Sequence, residues 1–131
     1  MPFSRQVDGV ALTLVALPIL AALFLWPQLP ADVAVHWSGG QPDTYVGKAL
    51  GTVGLLALAA GTIVFVRLAP DRLTNTPGGE DLTVLFLGVV FAWAESVVLL
   101  WNLGHRFPVG WAVLPLLVLA AGLVALEAWW R

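Results

Sequence analysis

Residues 82–103 read "LTVLFLGVVFAWAESVVLLWNL", and a single charged residue, Glu95, interrupts the run. At 1.5 Å per residue a helix of this length reaches about 33 Å, enough to cross the hydrocarbon of a bilayer. Three further stretches have the same character. They are residues 10–26 ("VALTLVALPILAALFLW"), 49–69 ("ALGTVGLLALAAGTIVFVRLA") and 109–130 ("VGWAVLPLLVLAAGLVALEAWW"). Each is apolar around most of the helix, as a lipid-facing segment must be. Pro18 and Pro115 fall inside spans, where proline is better tolerated than in water.

The whole chain agrees with this reading. It has 131 residues, of which 60% are hydrophobic and 11% charged. A soluble domain carries about 25% charged residues, because polar groups must cover its surface. The expected fold class is therefore an all-α integral membrane protein. We expect an antiparallel four-transmembrane-helix bundle in one membrane domain, with an ordered outer loop between the first two helices. Short connectors make sequential helices antiparallel neighbours. The first span resembles a secretory leader, but no small-x-small cleavage site follows it, so a retained helix is expected.

Basic residues near the span ends set the orientation. Arg5, Arg67, Arg72 and Arg131 share one side, against Lys48 and Arg106 on the other. This places both termini in the cytoplasm of a multi-pass cell-membrane protein, with 27–48 and 104–110 outside. The loop at 70–81 reads as an inner turn-rich linker. Trp26, Trp101 and Trp111 then form an outer aromatic belt, and Trp129 and Trp130 an inner one. Glu127 reads as interfacial beside that inner belt.

Helices in lipid approach each other through small residues. Gly51, Gly54, Ala57 and Gly61 fall along one face of the second span, which marks it as the central helix. Gly88 and Ala92 in the third span, and Ala121, Gly122 and Ala125 in the fourth, would pack against it.

Several function classes drop out. A net charge of −2 offers no electrostatic case for nucleic acid. The absence of cysteine removes disulfides and thiolate chemistry. No phosphate-binding loop, nucleophile elbow or catalytic carboxylate pair is present, so no enzyme and no cofactor are expected.

Glu95 is the sharpest single candidate. An ionised carboxylate near mid-membrane costs several kcal/mol unless paired, on the order set by burying a charge. It reads as a proton or cation site, as a buried recognition charge, or as a protonated side chain hydrogen-bonded to a neighbouring helix. His36 and His105 fall on the same predicted side, near Asp32, Asp43 and Arg106. Their separation in sequence specifies no metal site. Each imidazole is expected to bond loop backbone instead.

The outer loop, "LPADVAVHWSGGQPDTYVGK" (residues 29–48), is rich in residues that shape backbone. Pro27 and Pro30 stop the first helix. Val33 and Val35 begin a short half-buried extended run, Gly39-Gly40 permits a turn, and Gln41-Pro42-Asp43 a second turn. Asp43 can accept from backbone N–H groups or cap the next helix. Lys48 marks the entry of the second span, where its stem can snorkel. Val33, Val35, Trp37 and Tyr45 are expected to face the bundle.

This loop resembles the signature of a prokaryotic membrane family of unknown function, a domain also found at the N-terminus of SdpI-type immunity proteins. Leu29, Pro30, Val33, His36, Trp37, Gly40, Pro42, Asp43 and Lys48 match its spacing. Ala34 and Ser38 depart from it, standing where the pattern has proline and asparagine. The likeness covers about 40 residues, from the first span into the second. SdpI-type proteins protect a cell from its own secreted toxin and signal by holding a repressor at the membrane. They are longer, with additional spans. The resemblance thus implies a non-enzymatic protein that binds a toxin or protein partner through its outer loop. His36, Trp37, Asp43, Lys48, Glu95 and His105 are the candidate binding residues, with the bilayer as the obligatory surrounding. A proton- or cation-coupled transport component using Glu95, or an accessory subunit of a larger complex, are the other readings. Homo-oligomerisation is compatible with them.

Overall fold

A computed structural model describes residues 2–68 and 79–130. Helix α1 runs Pro2–Phe24 and is followed by a 3₁₀ turn at Trp26–Gln28. Strands β1 (Asp32–Ser38) and β2 (Gln41–Gly47) precede α2 (Lys48–Leu68). Then come α3 (Gly79–Asn102) and α4 (Val109–Trp130). All four helices are long and apolar enough to cross a membrane. Pro18 and Pro115 sit inside α1 and α4 without ending them. Of the expected inner linker at 70–81, residues 70–78, which include Arg72, lie outside the described residues, as does Arg131. Nothing is described for the side chains of Glu127 and Trp130.

Two findings correct the sequence reading of the fold. First, it is not purely helical. The loop between α1 and α2 is an antiparallel β-hairpin, paired from Asp32 with Gly47 to Ser38 with Gln41. Gly39 and Gly40 form its two-residue turn with φ of 58° and 80°. Positive φ at both central residues matches the strand twist and is open mainly to glycine. The second turn expected at Gln41-Pro42-Asp43 is instead the start of β2. Pro42 is tolerated there because a two-stranded ribbon leaves an edge with no N–H to supply.

Second, α3 and not α2 packs against each of the other helices. Among the described side chains of α1, Val7, Ala11, Val15, Ile19 and Ala22 are buried. Steps of four and three place them on one stripe. They meet α3, whose Val84, Gly88, Glu95 and Val98 repeat at steps of four, seven and three. At Gly88 the two helices approach closely: a Cβ there would lie 3.0 Å from both Cα and Cβ of Ala11. In α2 the buried face is Ala59, Ile63 and Val66, with Gly51 and Thr52 at its start. Ala57 and Gly61 point away from this core, and Gly54 would touch only Leu50 of its own helix. Gly51 does pack, but against the hairpin, where a Cβ would lie 2.8 Å from Val33 Cγ2.

Helix α4 stands almost apart. None of its spanning window is buried, and Ala121, Gly122 and Ala125 are exposed. Trp93 Nε1 of α3 donates to Ala112 O at 2.6 Å and ties the two helices. Large apolar side chains are also exposed on α1 and α2, among them Leu17, Phe24, Phe65 and Leu68. So much exposed hydrocarbon has no favourable solvent except lipid. The hydroxyls on these helices follow suit: Thr13, Thr62 and Ser96 each donate to the carbonyl four residues back, which leaves little polar hydrogen facing hydrocarbon.

At one end of the helices a charged network joins α1, α2 and α3. Arg67 lies 2.6 Å from Asp8, 2.6 Å from Asp81 and 3.4 Å from Glu80. The hairpin occupies the other end, against α2 and the last turns of α3.

Candidate functional site

The hairpin is fastened to the helices from several sides. Asn102, the last residue of α3, holds the outer edge of β1. Its Oδ1 accepts from Ala34 N at 2.9 Å, and its Nδ2 donates to Ala34 O at 3.0 Å and to Val98 O at 2.7 Å. The carboxamide thus pairs with Ala34 as a neighbouring strand would, satisfying a strand edge that is otherwise open. Ala34 is only 1% exposed. Side chains smaller than this amide cannot reach both groups.

Lys48 fastens the base. Its backbone N–H donates to Ala31 O at 2.9 Å. Its Nζ donates to Trp26 O at 3.0 Å and lies 4.9 Å from the centre of the Trp26 ring. The expected snorkelling lysine is therefore a bolt between α2 and the end of α1. Trp37 packs edge-on against Trp101 at 5.6 Å, and Trp101 against Phe107 at 5.9 Å. Arg106 covers the Trp101 ring at 4.7 Å and donates to its carbonyl at 3.0 Å. Trp101 is buried in this stack, so it does not belong to the aromatic belt assigned to it from sequence. Trp111 and Trp129 are exposed.

The far face of the hairpin carries the polar pair. His36 Nδ1 lies 2.7 Å from Asp43 Oδ1, across the two strands. Thr44 Oγ1 donates to the same carboxylate oxygen at 2.9 Å. The His36 hydrogen bond, helped by Ser38 and Thr44, holds the Asp43 carboxyl below its ordinary range. A carboxylate that accepts several hydrogen bonds favours its charged form. His36 therefore bonds a side chain and not the backbone expected from sequence. Both residues of the pair are exposed. So is Tyr45, expected to face the bundle but 58% exposed. Val33 is buried as expected, and Val35 and Trp37 are half-buried.

The other two candidates lie elsewhere. His105 is exposed on the α3–α4 connector, its backbone N–H donating to Leu100 O at 3.1 Å. Among the described residues no three His, Asp or Glu side chains gather as a metal set. Glu95 is buried beneath the hairpin at 3% exposure. Its Oε2 has no hydrogen-bond partner among the described residues, so the expected bond to a neighbouring helix is not formed by that oxygen. It borders a cavity of about 10 Å³ that Thr52 and Asn102 also line.

Asn102 and the Arg67 network are the residues that sequence reasoning passed over. A lone carboxamide ending an apolar run was the available sign for Asn102, since polar side chains within membranes bond between segments. Arg67 reads from sequence as a flanking charge, and only the fold supplies its three acids.

Residues 13–60 match the family described as a domain of unknown function (DUF1648). The matched stretch runs from within α1, through the whole hairpin, into α2. It supports the expected likeness to a domain-of-unknown-function family. No curated protein and no solved structure matches the chain.

Proposed function

We propose that this is a binding protein of the cell membrane whose working surface is the exposed face of the hairpin. The four helices cross the bilayer as an antiparallel bundle, with both termini in the cytoplasm and the hairpin outside. The observation that carries the reading is the two-sidedness of the hairpin. One side is fixed to the helices by Asn102, Lys48 and Trp37. The other presents His36, Asp43, Thr44 and Tyr45 to water in a set geometry. The His36–Asp43 hydrogen bond stands on this open face, and no helix takes part in it. Preorganised polar groups around an exposed aromatic are the kind of surface that recognises a protein or peptide.

The resemblance to SdpI-type proteins gives that partner a class, a secreted peptide toxin or a membrane-held regulator. The chain would act by binding it, without catalysis. The test is photocrosslinking in native membranes with a reactive residue placed at Tyr45. A discrete adduct that disappears in His36→Ala and Asp43→Asn, at unchanged membrane levels, supports the reading. No adduct, or one indifferent to both substitutions, counts against it.

A further inference from the structure

The cavity below the hairpin has a composition that the binding role does not use. Its polar lining is Glu95, Thr52 and Asn102, and the hairpin region contributes Leu29 and Val33. The remaining lining is aliphatic or glycine. Glu95 and Thr52 are 3% and 4% exposed. Thr13, Thr62 and Ser96 turn their hydroxyls back onto their own helices. Thr52 makes no such bond among the described residues, which leaves its hydroxyl for the cavity. No other titratable group among the described residues lines the space, and the stripe of α1 that faces α3 is entirely aliphatic.

A bare carboxylate cannot stay in such a place, because a buried charge without a partner is too costly in lipid. Either a cation or a proton must neutralise it. Metal cations need many oxygens: calcium takes about six to eight, and magnesium an octahedral set. Three oxygen-bearing side chains are present, and Asn102 already spends its amide oxygen on Ala34 N–H. The volume of about 10 Å³ is close to the least that holds one water.

We propose that this cavity is a proton-binding site: Glu95 holds a proton and shares a single water with Thr52, beside the Asn102 clasp. The proton reaches Glu95 from that water, which takes one in turn from solvent on the hairpin side. Asn102 lines the cavity and also clasps Ala34, so lifting the hairpin opens the route.

The test is infrared spectroscopy of the full chain in phosphatidylcholine vesicles at neutral pH. The wild type should show a protonated-carboxyl band that Glu95→Gln, a near-isosteric change, removes. Thr52→Val keeps the shape and removes the water's partner, so it should shift that band. In D₂O the band should exchange at least tenfold faster in Asn102→Ala. The proposal is overturned if the wild type lacks the band, if Glu95→Gln retains it, or if Thr52→Val leaves it in place. Equal exchange in Asn102→Ala overturns the hairpin-side route.

Discussion

Replacing Asn102 with alanine should free the hairpin while leaving the helices in place. The substitution removes three hydrogen bonds, of 2.9, 3.0 and 2.7 Å. The bond to Val98 O costs little, because that carbonyl lies within α3 and has a helical partner. The two to Ala34 matter, because its backbone is almost wholly buried and has no substitute partner. Leaving a buried polar group unsatisfied costs about 1–3 kcal/mol. With some water reaching the membrane face, the pair should cost about 2–4 kcal/mol together. At 1.36 kcal/mol per factor of ten, that is roughly a 30- to 900-fold rise in hairpin opening. Amide hydrogen exchange at Ala34 reads it directly, since local opening sets the protection of a buried amide. Exchange at Ala59 in α2 should stay within about threefold of wild type, on the same local-opening basis. Unchanged protection at Ala34 would refute the clasp, and equal loss at Ala59 would mean that the helices depend on it.

Three further outcomes follow. Gly88→Ala drives a methyl group into Ala11 and should destabilise the chain by about 1–3 kcal/mol, the usual cost of overpacking; Gly61→Ala, with open space around it, should be neutral or better in the same detergent unfolding assay. Arg67→Ala leaves Asp8 and Asp81 together without their shared cation, and should cost on the order of 2 kcal/mol after discounting the partly exposed partners; a stability equal to wild type would contradict the network. Asp43 should titrate by NMR below the ordinary carboxylate range, and His36→Ala should raise it back. The lowered value means that the pair steadies the hairpin above the ordinary carboxylate range and loses that effect as pH falls through Asp43's own titration. Identical titration in the two proteins would remove His36 as the cause.

The four helices were readable because hydrocarbon thickness dictates a long apolar run, and each run stands clear of its neighbours. Lys48 and the prolines marked the ends of α1 and α2 for the same local reasons. Gly39-Gly40 announced a turn, since few other pairs tolerate positive φ twice. The β2 strand was hidden because Gln41-Pro42-Asp43 has turn composition, and only pairing with β1 makes it extended. Small residues misled on α2. Gly54, Ala57 and Gly61 share a face, but Ile63 and Val66 have more surface to pack, and they took the core side. Asn102 and Ala34 are 68 positions apart in sequence, and Arg67 and Asp8 are 59 apart. Such contacts depend on which helix ends meet, which no local pattern states. His36 and Asp43 were both legible as candidates. Their joining was not, because it rests on the hairpin register.

The proposed binding role requires the hairpin to be the outward, water-facing surface of a membrane protein. The chain has no cysteine, so Ser38→Cys gives a single thiol beside the exposed turn. In intact cells a membrane-impermeant maleimide should label it fully without permeabilisation. Labelling that appears only after the membrane is opened would place the hairpin inside and contradict the central claim.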